Sequence, residues 1–188
     1  MKKNIRFFLI AMCVITFFSC FSQEKKTILL FVPEESRISH TDYRLDSIII
    51  IPHPHNCDSI IFRQYDKYGI FNVNVFFKKN DSMYEIRNIF TTDEIPGKLL
   101  GHDYIRAFTR KDTTFFYKSK MDLMSAGMGL SVDDSNYTIK KLKDGYETIK
   151  QSAIDTTFRE IYFYDKDYNI YKYILTQNCD MYVYAKKE

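Results

Sequence analysis

From Phe158 to Leu175 the chain reads FREIYFYDKDYNIYKYIL, and this stretch decides the fold class. Tyrosines alternate with other residues, mostly isoleucine or phenylalanine, on both sides of the polar segment 165–169. Alternation with a period of two is typical of β-strands, and the Asp and Asn residues of the polar segment favour a turn. The stretch is therefore predicted to form a β-hairpin.

The same period-two pattern recurs along most of the chain. The connections between successive segments are too short for helical crossovers, so the strands are expected to pair antiparallel. Besides the strands 158–164 and 170–175, the pattern predicts strands at Thr27–Val32, Tyr43–Ile51, Ile60–Tyr65, Ile70–Lys78, Met83–Thr91, Thr114–Lys118, Tyr137–Leu142, Tyr146–Ile149 and Met181–Ala185.

The middle of the chain is less regular. The segment Asp93–Gly101 contains Pro96 and two glycines and is predicted to be a loop or a single helical turn, whereas Ser119–Leu130 is predicted to be a short helix. We expect a mainly β fold, with a β-rich α+β fold as the alternative. Its architecture should be a curved antiparallel sheet or a half-barrel of hairpins with one short helix.

The N-terminus has the composition of an export signal. Lys2, Lys3 and Arg6 precede an apolar run from Phe7 to Phe18, which is shorter than the roughly 20 residues that a membrane-spanning helix needs. The sequence therefore predicts an export signal over residues 1–22 and a single β-rich domain over residues 23–188.

Two routes of cleavage fit this signal. The residues Phe17-Phe18-Ser19-Cys20 resemble a bacterial lipobox, with Phe17 where that motif usually has leucine. The resemblance implies cleavage before Cys20, lipidation of Cys20 and anchoring to a membrane of a Gram-negative envelope. The alternative is cleavage before Gln23 by ordinary signal peptidase, which would release a soluble periplasmic or secreted protein.

The net charge and the absence of known motifs argue against several classes of function. The chain has 27 basic and 24 acidic residues, and the export signal holds three of the basic residues and none of the acidic ones. The mature domain is therefore neutral and lacks the basic surface that nucleic-acid binding requires. The sequence contains no nucleotide-binding loop, serine-hydrolase elbow or zinc-protease motif, so no cofactor and no enzymatic activity are predicted.

Four sets of residues are candidate sites. His53, His55 and Asp58 bring metal-ligating side chains together after an isoleucine-rich strand, although the interleaved prolines also fit a rigid surface turn. Cys57 and Cys179 are the cysteines that follow the signal, and we predict that they form a disulfide. The alternative is a pair of free buried thiols.

An Asp-Ser/Thr pair followed by an apolar residue or Thr occurs five times and resembles the acceptor site of a general O-glycosylation system of Gram-negative envelopes. The resemblance implies glycans on Ser47, Ser59, Ser82, Thr113 and Thr156. The alternative is turn chemistry, because Asp and Ser/Thr side chains hydrogen-bond to nearby backbone and precede a strand.

Alternating tyrosines of the last three predicted strands form the fourth set. If all of them point to one face of the sheet, they form an aromatic surface whose hydroxyls contact water. Such a surface suits a ligand or a protein partner. These residues are Tyr162, Tyr164, Tyr171, Tyr173, Tyr182 and Tyr184. The leading expectation is thus a non-enzymatic binding or structural lipoprotein. The alternative is a carrier of a lipid or other hydrophobic ligand, and a metal-dependent enzyme comes third.

Overall fold

The computed structural model describes residues 26–39, 45–90, 99–118 and 134–187. Apart from a 3-10 turn at Pro33–Glu35, their regular structure consists of twelve β-strands. The strands are β1 (Thr27–Phe31), β2 (Ser47–His53), β3 (Asn56–Asp66), β4 (Gly69–Lys79), β5 (Ser82–Phe90), β6 (Leu99–Thr109), β7 (Thr113–Tyr117), β8 (Ser135–Leu142), β9 (Gly145–Ser152), β10 (Arg159–Tyr164), β11 (Ile170–Gln177) and β12 (Asp180–Lys186). None of the described residues belongs to a helix long and apolar enough to cross a membrane.

All twelve strands belong to one antiparallel sheet, in the order β6-β5-β4-β3-β2-β1-β12-β11-β10-β9-β8-β7. β1 pairs with both β2 and β12. It therefore connects strands β2–β6 to strands β7–β12 within the sheet. The sheet curves into a nearly closed, barrel-like shape. The predicted mainly β fold with a curved antiparallel sheet is confirmed.

Eleven of the twelve strands were predicted, and β6 was missed. Its first residues, Leu99–Gly101, fall within the segment predicted to be a loop or a single helical turn. The polar and small residues that follow, such as His102, Asp103 and Ala107, hide the alternation, although Asp103 is buried and His102 is exposed. The predicted helix Ser119–Leu130 and the export signal with Cys20 lie outside the described residues.

Aromatic rings fill the interior of the barrel. Phe62 from β3, Phe76 from β4, Phe108 from β6 and Tyr162 from β10 are all buried. The rings of Phe76 and Phe108 have centroids 4.9 Å apart, and Tyr162 lies 5.4 Å from Phe108 and 5.6 Å from Phe62. Such edge and tilted contacts stabilise a core beyond the area that it buries.

The tyrosine surface predicted from the C-terminal strands is wrong, because most of these rings belong to the interior. Tyr171 is half-buried, and the other five, Tyr162, Tyr164, Tyr173, Tyr182 and Tyr184, are buried with exposures of 0–5 %. Their hydroxyls have protein partners: Tyr184, for example, donates to the carbonyl oxygen of Leu45 at 3.1 Å. A curved sheet allows these hydrogen bonds because side chains on its concave face lie near residues of several other strands.

Side chains close the sheet where its two edges, β6 and β7, are not joined by a backbone ladder. Thr148 donates from its hydroxyl to the carbonyl oxygen of Ala107 at 2.8 Å. The hydroxyl of Tyr164 donates to the carbonyl oxygen of Thr109 at 2.8 Å and accepts from the amide of Thr109 at 3.2 Å. Burial raises the pKa of Tyr164 to about 12, so this hydroxyl keeps its proton. We call this line of contacts the seam.

The predicted disulfide is also wrong, because Cys57 and Cys179 lie at opposite ends of the sheet. Ser47 pairs with Leu30, and Leu30 pairs with Ala185, which places these residues at one level. From that level the chain runs to Cys57 in one direction and to Cys179 in the other, so the two cysteines are more than roughly 30 Å apart at about 3.3 Å per residue. A disulfide requires Cα atoms within about 7 Å, and the thiol of Cys179 is free and exposed.

Candidate functional site

A cavity of about 610 Å³ occupies the end of the barrel at which β8 and β10 begin and β9 and β11 end. It lies within the range of about 300–1,000 Å³ that is usual for sites of small molecules. Most of the side chains that line it carry polar atoms, in contrast to the aromatic interior beside it, but apolar atoms make up the larger part of its surface. We call this space the end cavity.

Buried charges line one side of the end cavity. The ammonium of Lys150 on β9 lies 2.9 Å from Oε2 of Glu160 on β10, and their side chains are only 10 % and 6 % exposed. The same ammonium lies 3.9 Å from Oε1 of Glu85, which in turn is 2.9 Å from Nε of Arg87. Two cations and two carboxylates thus form one network that carries no net charge.

Tyrosine hydroxyls complete this network. Oε1 of Glu160 accepts hydrogen bonds from Tyr173 at 2.8 Å and from Tyr162 at 3.0 Å. Tyr173 also accepts one at 3.0 Å from Nε2 of Gln64, and Tyr137 donates to Oε2 of Glu85 at 3.3 Å. Every oxygen of Glu160 therefore has at least one donor, which is the condition for keeping a charge buried.

The pKa values follow from these contacts. Burial favours the neutral form of Glu160, but the ammonium of Lys150 and the hydrogen bonds from Lys150 and Tyr173 outweigh it and lower the pKa of this carboxyl. Burial, reinforced by the charge of Glu160, raises the pKa of Tyr173 well above its ordinary value. At neutral pH the carboxylate is charged and the phenol is protonated, as their hydrogen bond requires.

Amides and hydroxyls supply the rest of the polar lining. The amides are Gln64, Asn72, Asn74 and Gln177, and the hydroxyls include those of Ser135 and Ser152. An amide side chain carries both donors and an acceptor, and a hydroxyl does the same. Ile154, Phe158 and Leu175 add apolar surface between these groups. The arrangement can hold a small molecule that both donates and accepts hydrogen bonds.

The predicted metal ligands are not brought together in a site. Nδ1 of His53 accepts a hydrogen bond from the backbone amide of His55 at 3.2 Å, and their rings are 6.1 Å apart. The backbone amide of Asp58 is held by the side chain of Asn56 at 3.0 Å. Within the part of the chain that the structure describes, no three His, Cys, Asp or Glu side chains are grouped for a metal ion. The turn between β2 and β3 accounts for this cluster better than a metal does.

The proposed glycan acceptors divide into two groups. Ser59 lies within β3 and is only 3 % exposed, so the prediction of a glycan there is wrong: a glycan needs an exposed hydroxyl. Ser47, Ser82 and Thr113 each begin a strand and are half-buried, and Thr156 lies exposed in a turn. Asp155 caps that turn by accepting from the amide and the hydroxyl of Thr157. Glycosylation of these four residues stays a prediction.

Sequence reasoning missed the charged residues of the end cavity, although a signal was present. Glu160 stands two and four residues before Tyr162 and Tyr164, so it shares their face of the strand. Lys150 likewise follows Thr148 at a spacing of two, and both are buried. A charged residue at a spacing of two from buried aromatic residues indicates a buried network. This signal can be used only when it is known which face of the strand points inward.

Comparison of the chain with models of protein families found no match, and searches of curated proteins and of solved structures likewise found none.

Proposed function

We propose that this chain is an exported, lipid-anchored binding protein that holds a small polar ligand in the end cavity and performs no chemistry on it. The observation that carries the proposal is the end cavity itself, where the buried pair Lys150–Glu160 and several amides face an open space of about 610 Å³. Burying charges is costly, and a site that binds a polar molecule gives them a use.

The interior supports a polar ligand over a hydrophobic one. The space in which a lipid would have to lie is occupied by the rings of Phe62, Phe76, Phe108 and Tyr162, which contact one another. The end cavity next to it has amides and charges in its lining. A carrier of hydrophobic molecules would instead be expected to have an open apolar interior.

The pKa of Glu160 supports binding over catalysis. A general acid or base works best with a pKa near the working pH, and catalytic carboxyls usually reach that range by having their pKa raised. The pKa of Glu160 is lowered, and its oxygens are already engaged by Lys150, Tyr162 and Tyr173. Such a carboxylate positions its neighbours and is poorly placed to transfer a proton.

Blocking the end cavity is expected to remove a retained ligand. Asn72 is exposed and lines the cavity, so Asn72→Trp should fill its mouth with little effect on the core. Native mass spectrometry of the protein purified from its envelope should show a bound small molecule in the wild type and little in this variant. Asn136→Trp is the matched control, because Asn136 is exposed on β8 and does not line the cavity. The same occupancy in all three proteins, or none in any, would contradict the proposal.

Membrane anchoring is expected to depend on Cys20. Cys20→Ser should shift the protein from the membrane fraction to the soluble fraction, because the acceptor of the lipid is gone. Cys13→Ser, a change inside the apolar run of the signal, should leave the protein in the membrane fraction. Fractionation followed by immunoblotting measures both. An unmodified N-terminus at Gln23 in the wild type would rule out the lipid anchor.

A further inference from the structure

We infer that the ligand of the end cavity is an electrically neutral saccharide, either free or as the terminal residue of a glycan. This inference rests on the proposed binding function and names its ligand class. It follows from three features of the cavity: its charge balance, the kind of hydrogen-bonding group in its lining and the placement of its apolar side chains.

The charge balance favours an uncharged ligand. Lys150 and Arg87 are matched by Glu160 and Glu85 within the network, so the buried charges already neutralise one another. Asp155 adds a carboxylate at the rim, but it is exposed and its Oδ1 is engaged by Thr157. A ligand with a net charge would place that charge beside a neutral network without a partner, and an unpaired buried charge is strongly unfavourable.

The hydrogen-bonding groups separate a saccharide from a zwitterion such as an amino acid. The ammonium of a zwitterion needs a free carboxylate, whereas the oxygens of Glu160 accept from Lys150, Tyr162 and Tyr173. Lys150, by contrast, reaches only one carboxylate at hydrogen-bond distance among the described residues, Glu160 at 2.9 Å. An ammonium has three donors, so Lys150 can donate to a ligand hydroxyl.

The amides match the same ligand. Asn74 and Gln177 each carry donors and an acceptor, and a sugar hydroxyl likewise donates and accepts. A ring of hydroxyls can therefore satisfy both of these amides at once. The apolar side chains of Phe158 and Leu175 also line the cavity and offer a surface to the C–H face of a sugar ring.

The test is isothermal titration calorimetry of the wild type with free neutral monosaccharides and disaccharides, with oligosaccharides that end in the same sugars, with free amino acids and with dicarboxylates. At least one neutral saccharide is expected to bind, and Asn74→Leu should weaken that binding about tenfold, the effect of losing one hydrogen-bonding group. Asn136→Leu should bind as the wild type does. Binding of the free sugar and of the oligosaccharide distinguishes a free ligand from a glycan terminus.

The outcomes separate this inference from the proposed function. Binding of an amino acid or a dicarboxylate that Asn72→Trp abolishes, with no saccharide bound, would overturn the saccharide and leave the binding function standing. A retained molecule that native mass spectrometry identifies as charged would do the same. Failure of every compound to bind, together with an empty wild-type protein, would overturn both.

Discussion

Lys150→Met is expected to lower the free energy of unfolding by about 3–5 kcal/mol, the usual cost of breaking a buried ion pair by removing one partner. The change leaves the carboxylate of Glu160 buried without the ammonium that lies 2.9 Å away, and it also removes a cation from Glu85 at 3.9 Å. Urea denaturation of both proteins at pH 7 measures the difference.

The double variant Lys150→Met, Glu160→Gln is the control. Replacing both members of a buried pair is often close to neutral, and the glutamine oxygen can still accept from Tyr162 and Tyr173. We expect the double variant to be more stable than Lys150→Met alone. Equal stability of the single variant and the wild type would show that the pair is not buried in solution.

Acid should reveal the same pair in the wild type. Because the pKa of Glu160 is lowered in the folded protein, its stabilising contribution is present above the ordinary glutamate pKa of about 4.3. That contribution is lost as the pH falls through the lowered pKa of the folded state. The double variant lacks the titrating carboxyl, so its stability should fall less over this range. Parallel pH titrations of stability would be inconsistent with the network.

The second large effect is expected at Tyr173. Tyr173→Ala should lower the free energy of unfolding by about 3–5 kcal/mol, because it removes a fully buried ring and leaves Glu160 without one of its donors. Tyr171→Ala should cost about 1 kcal/mol or less, since Tyr171 is half-buried on the opposite face of the same strand. Thermal melts of the two variants measure the contrast.

This pair of tyrosines is a matched test of which face of the sheet is inside. The residues have the same chemistry, lie two positions apart on β11 and differ in burial. The contrast arises because the register change between β10 and β11 at Phe163 and Tyr164 alters the alternation near the start of β11. A small loss at Tyr173, or a large loss at both residues, would contradict the interior described above.

The existence of the strands could be predicted because local residue patterns determine it. In β10 apolar residues and tyrosines alternate, and the short turn between β10 and β11 leaves antiparallel pairing as the available arrangement. β6 was missed because it mixes the charged Asp103 and Arg106 with small residues such as Gly101, a composition that the alternation rule does not recognise.

The direction of the tyrosines could not be predicted because it depends on how the sheet closes. In β10 both faces carry aromatic or aliphatic residues, Tyr162 and Tyr164 on one and Ile161 and Phe163 on the other. Hydroxyls suggested water for the tyrosine face, yet a curved sheet provides internal acceptors such as Glu160 and the carbonyl oxygen of Thr109. Glu160 lies on the same strand as Tyr162, but Thr109 comes from β6, and a local pattern does not place it.

The disulfide prediction was wrong and the end cavity was not predicted, and both have the same cause. Cysteine count gives no positions along the strands, and the registers place Cys57 and Cys179 at opposite ends of the sheet. The cavity arises where charged residues from β5, β9 and β10 meet inside the barrel, at a sequence separation of 65 between Glu85 and Lys150. Contacts between residues so far apart in sequence depend on the order of the strands in the sheet, and the hairpin pattern did not predict that order.

The seam also occupies backbone groups at one edge of the sheet. Edge strands present unpaired amides and carbonyls, and these can add a strand from another molecule. On β6 the carbonyl oxygens of Ala107 and Thr109, and the amide of Thr109, are already occupied by Thr148 and Tyr164. The other edge, β7, is only five residues long. The side chains that close the barrel therefore also deny a second molecule part of the backbone along which a β-aggregate would begin.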